Sequence, residues 1–320
     1  MAVYLGVSDV ARQAKKLYIG VGGVAREVTR MYASVGGVAK LVWPPALFVA
    51  VGSSGAIAYS ADNGVSWTQI TVGSSSWYGV AYGNGKWVAV GSSGAIAYSA
   101  DNGATWTQIT VGSKLFYGVT YANGTWVAVG EAGNFAYSAN GVSWTQITVG
   151  SAYNWFSAKY HDGTWVAVGE IGSIAYSTDN GATWTRGIYG TSSFWDVAYA
   201  NGKWVAMGGA GAIVTSPDGV GWTAQSFVGS SSWYGVAYGN GTSVAVGNNG
   251  AIAYNAYNGV SWTQITVGSI AWESVAYGNG KWVAVGSSGA IAYSADNGAT
   301  WTQITVGSKL WYGVAYGGEV

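Results

Sequence analysis

Cysteine is absent from the 320 residues, histidine occurs once and proline three times. Without cysteine there is neither a disulfide framework nor a thiolate metal site. The lone imidazole, His161, cannot build a His-rich metal centre and leaves at most one conventional imidazole base. Charge is scarce and balanced, 13 basic against 13 acidic side chains, 8% of the chain, where a soluble domain carries about 25%. A neutral chain offers no basic face for phosphates, so a nucleic-acid partner is not expected. No run reaches the roughly 18 apolar residues of a membrane span. The first twenty residues also lack the continuous apolar core of a secretion signal, so neither membrane insertion nor a signal peptide is expected.

What is abundant is equally biased: 52 Gly, 19 Trp and 23 Tyr, with 49% hydrophobic residues. That much apolar matter excludes disorder, which needs low hydrophobicity and high net charge. Glycine without a three-residue period excludes collagen. Trp, Tyr, Val and Thr favour strands, and the expectation is all-β.

The cause of the bias is a repeat. The motif WVAVG or a variant starts at Phe48, Trp87, Trp126, Trp165, Trp204, Ser243 and Trp282, each 39 residues from the last. A second aromatic keeps the same 39-residue step through Trp77, Phe116, Trp155, Phe194, Trp233, Trp272 and Trp311. Within a unit, four short β-rich runs are separated by Gly, Asn and Ser, which supply the positive φ of tight turns. Four strands in about 40 residues, seven times over, predict a seven-bladed β-propeller. Residues 47 to 72 supply only three strands, while the chain finishes with a solitary first strand, WYGVAYG at 311 to 317. That strand is expected to pair with Phe48 to Gly52 and close the first blade. The repeated Trp and Tyr are read as core between blades.

The hairpin before each last strand carries a motif of its own. Ser60-Ala-Asp62-Asn-Gly64-Val-Ser-Trp67 and its copies around Asp101, Asp179 and Asp296 fit S-x-D-x-G-x-[ST]-W. This resembles the Asp-box, or bacterial neuraminidase repeat, of sialidase-like propellers. The short carboxylate accepts hydrogen bonds from turn amides, glycine takes the left-handed position and Trp packs back over the hairpin. Ser138-Ala-Asn140-Gly141 and Ser216-Pro-Asp218-Gly219 are one residue shorter, and Asn255-Ala-Tyr257-Asn-Gly259 lacks both Ser and Asp. Because the motif recurs, Asp62, Asp101, Asp179, Asp218 and Asp296 are read as structural. The resemblance implies, for an active sialidase, three arginines, a Tyr/Glu nucleophile pair and an Asp acid. Residues 46 to 320 hold one arginine, Arg186, so that cluster cannot be built. With no Ser-His-Asp spacing or phosphate loop either, the expectation is a non-enzyme with no catalytic residue, no metal and no cofactor. His161 reads as a turn residue in Tyr160-His161-Asp162-Gly163.

Binding remains. Strand direction puts the last-to-first connections and the GSSG turns on one face, the GNG and Asp-box turns on the other. Departures from the internal consensus gather in the third to fifth units, most of them on the first of these faces. The candidate ligand-binding residues are Glu131, Asn134, Tyr153, Asn154, Phe156, Glu170, Tyr189, Trp195 and Asp196; Phe135, Ile171 and Arg186 depart as well. Aromatic rings beside Asn, Asp and Glu suit a sugar, whose C–H face stacks while its hydroxyls find polar partners. Lys159 replaces Ala or Thr in the innermost strand and is expected to line the central channel or to snorkel.

Residues 1 to 45 form a separate module with 6 basic and 2 acidic side chains, against 7 and 11 in residues 46 to 320. VSDVAR, VGGVAR and VGGVAK start at Val7, Val21 and Val35, a 14-residue period. Alternating runs between glycine pairs predict short β-hairpins, too small to bury much alone. VGGVAR with KKLYIGV resembles repeats at the ends of bacteriophage and prophage tail-associated virion proteins. The resemblance implies anchoring to other virion proteins through residues 1 to 45, several copies per particle, assembly in the host cytoplasm, and a propeller (46 to 320) displayed beyond a Pro44-Pro45 hinge. The expected function is a virion protein whose propeller binds a host-surface glycan. The alternatives are a structural decoration protein without ligand, and an artificial or recently amplified consensus propeller.

Overall fold

The structure, a computed structural model, describes residues 18–21, 24–27, 31–35, 38–43, 47–225, 229, 231–255 and 262–317, the first four segments by their backbone. Contacts divide the chain into Met1–Ala46 and Leu47–Val320. In the first unit Tyr18–Val21 pairs antiparallel with Val24–Glu27, and Met31–Val35 with Val38–Trp43. The first repeat at Val7, the glycine pairs between these strands and Pro44-Pro45 lie outside the described residues.

The second unit is the propeller that the period predicts: seven four-stranded antiparallel sheets, six of them with their strands in sequence order from the axis outward. The innermost strands are Trp77–Gly83, Phe116–Ala122, Trp155–His161, Phe194–Ala200, Trp233–Gly239, Trp272–Gly278 and Trp311–Gly317. Each lies beside the innermost strands of the blades before and after it, so they form a ring. The last of them pairs with Leu47–Gly52, with Trp311 opposite Gly52 and Gly317 opposite Leu47, and completes the first blade. We number that blade 1; blades 2 to 7 follow in chain order.

The amino-acid pattern explains the layering. After their first residue the second strands (KWVAVG in blade 2) are apolar and buried, because both faces meet a neighbouring blade. The fourth strands (TQIT) are mostly exposed and polar, as short edges must be. Seven clusters of buried side chains occupy the inter-blade spaces, for example Val49, Val51 and Ile57 of blade 1 against Trp77, Trp87 and Ala89 of blade 2. Side-chain links add to them on one face, where the turn Asn279 of blade 7 donates to the Asp-box Asn63 of blade 1 at 2.9 Å and Asn240 of blade 6 to Asn297 of blade 7 at 2.9 Å. On the opposite face each last-to-first connection is clamped by the turns beside it: Gly55 N–H donates to Ser75 O at 2.7 Å and Ser92 N–H to Ser76 O at 3.0 Å.

Candidate functional site

Every innermost strand carries a β-bulge at its second residue. In blade 3, Phe116 faces Gly130 and Gly118 faces Val129, so Tyr117 has no partner across the pair; the same shift frees Tyr78, Phe156, Trp195, Tyr234, Glu273 and Tyr312. A bulge re-aims the side chain it carries, and these seven line a cavity of about 140 Å³ on the axis. The glycine that follows in most blades permits close approach. A Cβ at Gly79 would lie 2.7 Å from Tyr117 O, and one at Gly118 2.6 Å from Phe156 O. The second-position tyrosines are thus channel lining and not inter-blade core, whereas the first-position Trp residues are core, fully buried at Trp77, Trp155, Trp233, Trp272 and Trp311.

The rings touch in succession: Tyr312 to Tyr78 at 4.8 Å, Tyr78 to Tyr117 at 5.7 Å, Tyr117 to Phe156 at 5.2 Å, Phe156 to Trp195 at 4.4 Å and Trp195 to Tyr234 at 6.0 Å between centroids. All are half-buried. The Trp195 indole nitrogen lies buried without a hydrogen-bond partner. Lys159 also lines this cavity. Burial and then the charge of Glu131 hold the Tyr117 hydroxyl above its ordinary value, with Tyr78 and Glu170 adding to the effect.

The other candidates from the sequence, Asp196 excepted, lie outside the channel lining, in the turns and connections of blades 3 to 5, and several have their polar atoms occupied. Asn154 N–H and side-chain amide donate to the Glu170 carboxylate at 3.1 and 2.9 Å, and Asn154 Oδ1 accepts from Ala132 N–H at 2.9 Å. Asn134 is buried, and its Oδ1 accepts from Gln146 at 2.9 Å. Asp196 accepts from Val197 N–H at 2.9 Å and, across the blade boundary, from Val236 N–H at 3.0 Å. Tyr189 donates to Val220 O at 2.7 Å. Tyr153 stacks under the Arg186 guanidinium at 4.1 Å, and Arg186 donates to Ser173 Oγ at 3.2 Å, beside the outer strand of blade 4. Glu131 is exposed, its carboxylate 3.4 Å from Leu115 N–H. These contacts join loop to loop and blade to blade. Phe156 and Trp195 alone of the nine come together on the channel wall with Asp196 beside them.

One turn on this face is strained. Ile171 is 55% exposed and sits at φ 51°, where the other blades place Ser, Ala or Asn. A β-branched residue in the left-handed region is disfavoured by about 1–2 kcal/mol. Replacing it by glycine is expected to stabilise the fold by about 1 kcal/mol, read as a higher urea midpoint; an unchanged or lower midpoint would contradict the strain.

On the opposite face the Asp-box hairpins repeat one network. Ser177 Oγ donates to Asp179 Oδ1 at 2.8 Å and accepts from Gly181 N–H at 3.0 Å, Thr183 donates to the carboxylate through its amide at 2.8 Å and its hydroxyl at 2.5 Å, and Trp184 Nε1 donates to Gly181 O at 3.0 Å. Those bonds, the Thr183 hydroxyl foremost, bring the Asp179 carboxyl down to about 2. At Asp62, Asp101 and Asp296 burial opposes the charge, but the matching bonds from Ser66, Thr105 and Thr300 outweigh it and the carboxyls stay low. The shorter copy is lowered by the Val220 and Gly221 amides on Asp218. Asn140 keeps the geometry without charge, accepting from Val142 and Ser143 N–H at 2.8 Å each. Tyr257 and Gly259 of the sixth copy lie outside the described residues.

Residues 175–186 match the BNR/Asp-box repeat family. No curated protein matches the chain. Among solved structures it is similar to YCF48 bound to D1 peptide, at 18% identity and a TM-score of 0.60, covering 82% of this chain and 85% of that one. It is likewise similar to the WD40 β-propeller domain of Doa1 (16%, TM-score 0.61, 81% and 88% covered) and to the computationally designed Ika8 protein (10%, 0.59, 83% and 90%). At these identities the likeness is one of fold.

Low Asp-box carboxyls make a pH prediction. A depressed folded-state value means that the stabilising contribution is complete above the unfolded value near 3.9 and is lost as pH falls through the folded one. Stability is expected to fall between about pH 4 and pH 2, and Asp179→Asn, the exchange already present at Asn140, is expected to flatten part of that fall. Urea midpoints across this range test it; an identical slope in the variant would contradict it. His161, at the end of its strand, stacks flat on Tyr199 of blade 5 at 3.3 Å, consistent with a packing role at a turn. Among the described residues no group of three His, Cys, Asp or Glu is placed to hold a metal ion, and no helix is long and apolar enough to cross a membrane.

Sequence reasoning missed Glu273 and Ser274. Trp272-Glu-Ser-Val departs from Trp-Tyr-Gly-Val as plainly as the residues of blades 3 to 5 do, so the same comparison of units, applied to the innermost strand, would have found them. Ser274 Oγ accepts from Val314 N–H at 3.3 Å, joining blades 7 and 1.

Proposed function

We propose that this chain is a non-enzymatic binding protein whose propeller presents the channel mouth and its surrounding turns to a host-surface glycan, while residues 1 to 45 attach it to other proteins of a phage particle. The observation that carries the binding reading is the set of seven bulges, which aim six aromatic side chains and one carboxylate into a single cavity on the face where the units depart from their own consensus. Folding alone asks only for repeated residues; aromatic rings half-exposed in a channel serve a ligand better than they serve a core. Phe156 and Trp195 supply the stacking surface and Glu131 the exposed polar rim. The attachment reading rests on the VGGVAR resemblance and on the basic balance of the first 45 residues.

Glycan-array binding by the full chain, with and without Trp195→Ala, tests the first half: binding by wild type and its loss in the variant are expected. Failure of the wild type to bind any glycan would leave the structural decoration reading, which the internal hydrogen bonds of Asn134, Asn154, Glu170 and Asp196 favour. For attachment, deletion of residues 1 to 45 is expected to abolish incorporation into particles.

A further inference from the structure

The aromatic ring of the channel is interrupted at one place. Ring contacts run from Tyr312 through Tyr78 round to Tyr234, and the seventh position, between Tyr234 and Tyr312, is held by Glu273. This carboxyl is half-buried, burial raises it above its usual range, and among the described residues no hydrogen bond or ion pair offsets that cost. Its charge acts on both neighbours, adding to burial in holding the Tyr234 and Tyr312 hydroxyls up. Asp196, the other carboxylate on the wall, is satisfied by two amides. Glu273 is thus a half-buried acid with no hydrogen bond or ion pair among the described residues, flanked by aromatic rings, in a cavity open to solvent.

We infer that the corner formed by Tyr234, Glu273 and Tyr312 binds a quaternary ammonium head group. Aromatic faces attract a cation through their quadrupole, and the carboxylate adds a full opposite charge. A quaternary ammonium has no N–H to satisfy, which suits a wall of rings with a single acceptor; a primary ammonium would need three acceptors. The cavity of about 140 Å³ is near the roughly 150 Å³ that holds a benzene-sized group, close to the bulk of a trimethylammonium. Lys159, three residues further along the strand of blade 4 than Phe156, opposes deeper entry of a cation and keeps it at the mouth. The inference rests on the channel mouth being the ligand face but is independent of the glycan. Free choline-type molecules and trimethylated lysine of a protein share this head group.

The test titrates the full chain with choline and with 3,3-dimethylbutan-1-ol, its neutral isostere, read by tryptophan fluorescence. Choline is expected to bind roughly tenfold more tightly or better. Glu273→Tyr, which installs the residue present at Tyr78, Tyr117, Tyr234 and Tyr312, is expected to keep the fold, raise the thermal midpoint and lower the preference severalfold, to what the ring faces alone supply; Glu273→Gln is expected to lower it likewise with less change of shape. A trimethyllysine peptide that binds more tightly than choline identifies a protein-borne source, and equal binding a free one. Equal affinity for choline and its isostere, or a preference undiminished in both variants, would overturn the inference. Choline preference without glycan binding removes only the glycan reading, and glycan binding without choline preference removes only this one.

Discussion

A chain that stops before Trp311 is expected to lose its cooperative unfolding transition. Trp311–Gly317 is the inner strand of blade 1 and pairs along its length with Leu47–Gly52. Without it, Phe48 and Ala50 lose the buried Trp311 and the half-buried Tyr316 that cover them, and the Phe48–Tyr316 ring contact at 5.1 Å disappears. Deleting one buried Trp side chain costs about 3–5 kcal/mol, against a total stability of about 5–15 kcal/mol for a typical domain. Here the ring also opens and leaves Leu47–Gly52 as a bare apolar edge. Placing a copy of residues 311–317 and an Asn-Gly turn between Ala46 and Leu47 is expected to restore the transition, because the sheet needs the strand and not its position in the chain. Circular-dichroism melting checks both; a truncated chain that melts like the intact one would show that blade 1 closes in another way.

The second large effect separates two kinds of tryptophan. Trp155 is fully buried, donates to Val149 O at 2.8 Å and meets Phe135 edge-on at 5.5 Å. Trp155→Ala is expected to cost about 3–5 kcal/mol. Trp195, by contrast, is half-buried in the channel and its indole nitrogen has no hydrogen-bond partner; Trp195→Ala is expected to change stability by less than about 1 kcal/mol. Denaturant midpoints of the two variants decide the matter. Equal losses would mean that the channel ring is core after all.

That contrast also marks how far the residues could be read in advance. The period, the blade count and the closing strand were legible because seven copies of one unit average away local ambiguity, and because the solitary WYGVAYG at the end has one unpaired partner to join. The Asp-box network was legible for the same reason. Direction within the innermost strand was not. Simple alternation along Trp-Tyr-Gly-Val gives no reason to send the second residue of all seven strands into the channel, and the bulge that does so leaves one signal, a glycine inside a strand, which marks a bulge or close backbone approach. The individual loop candidates were found by departure from the repeat, yet Asn134, Asn154, Glu170 and Asp196 depart in ways that the fold itself absorbs in hydrogen bonds. Departure locates a difference; only the partners of each polar atom tell packing from an open site.

The account holds that the repeat is scaffold and that its few exceptions in the channel mouth carry the binding. A chain whose seven units all carry the sequence of residues 77–115 tests this directly, in titrations with choline and on the glycan array beside the parent. The predicted result is a folded protein with a higher thermal midpoint that binds choline several times more weakly than the parent and no glycan that the parent binds. Undiminished binding by the uniform chain would contradict the account and place the function in the repeated residues themselves.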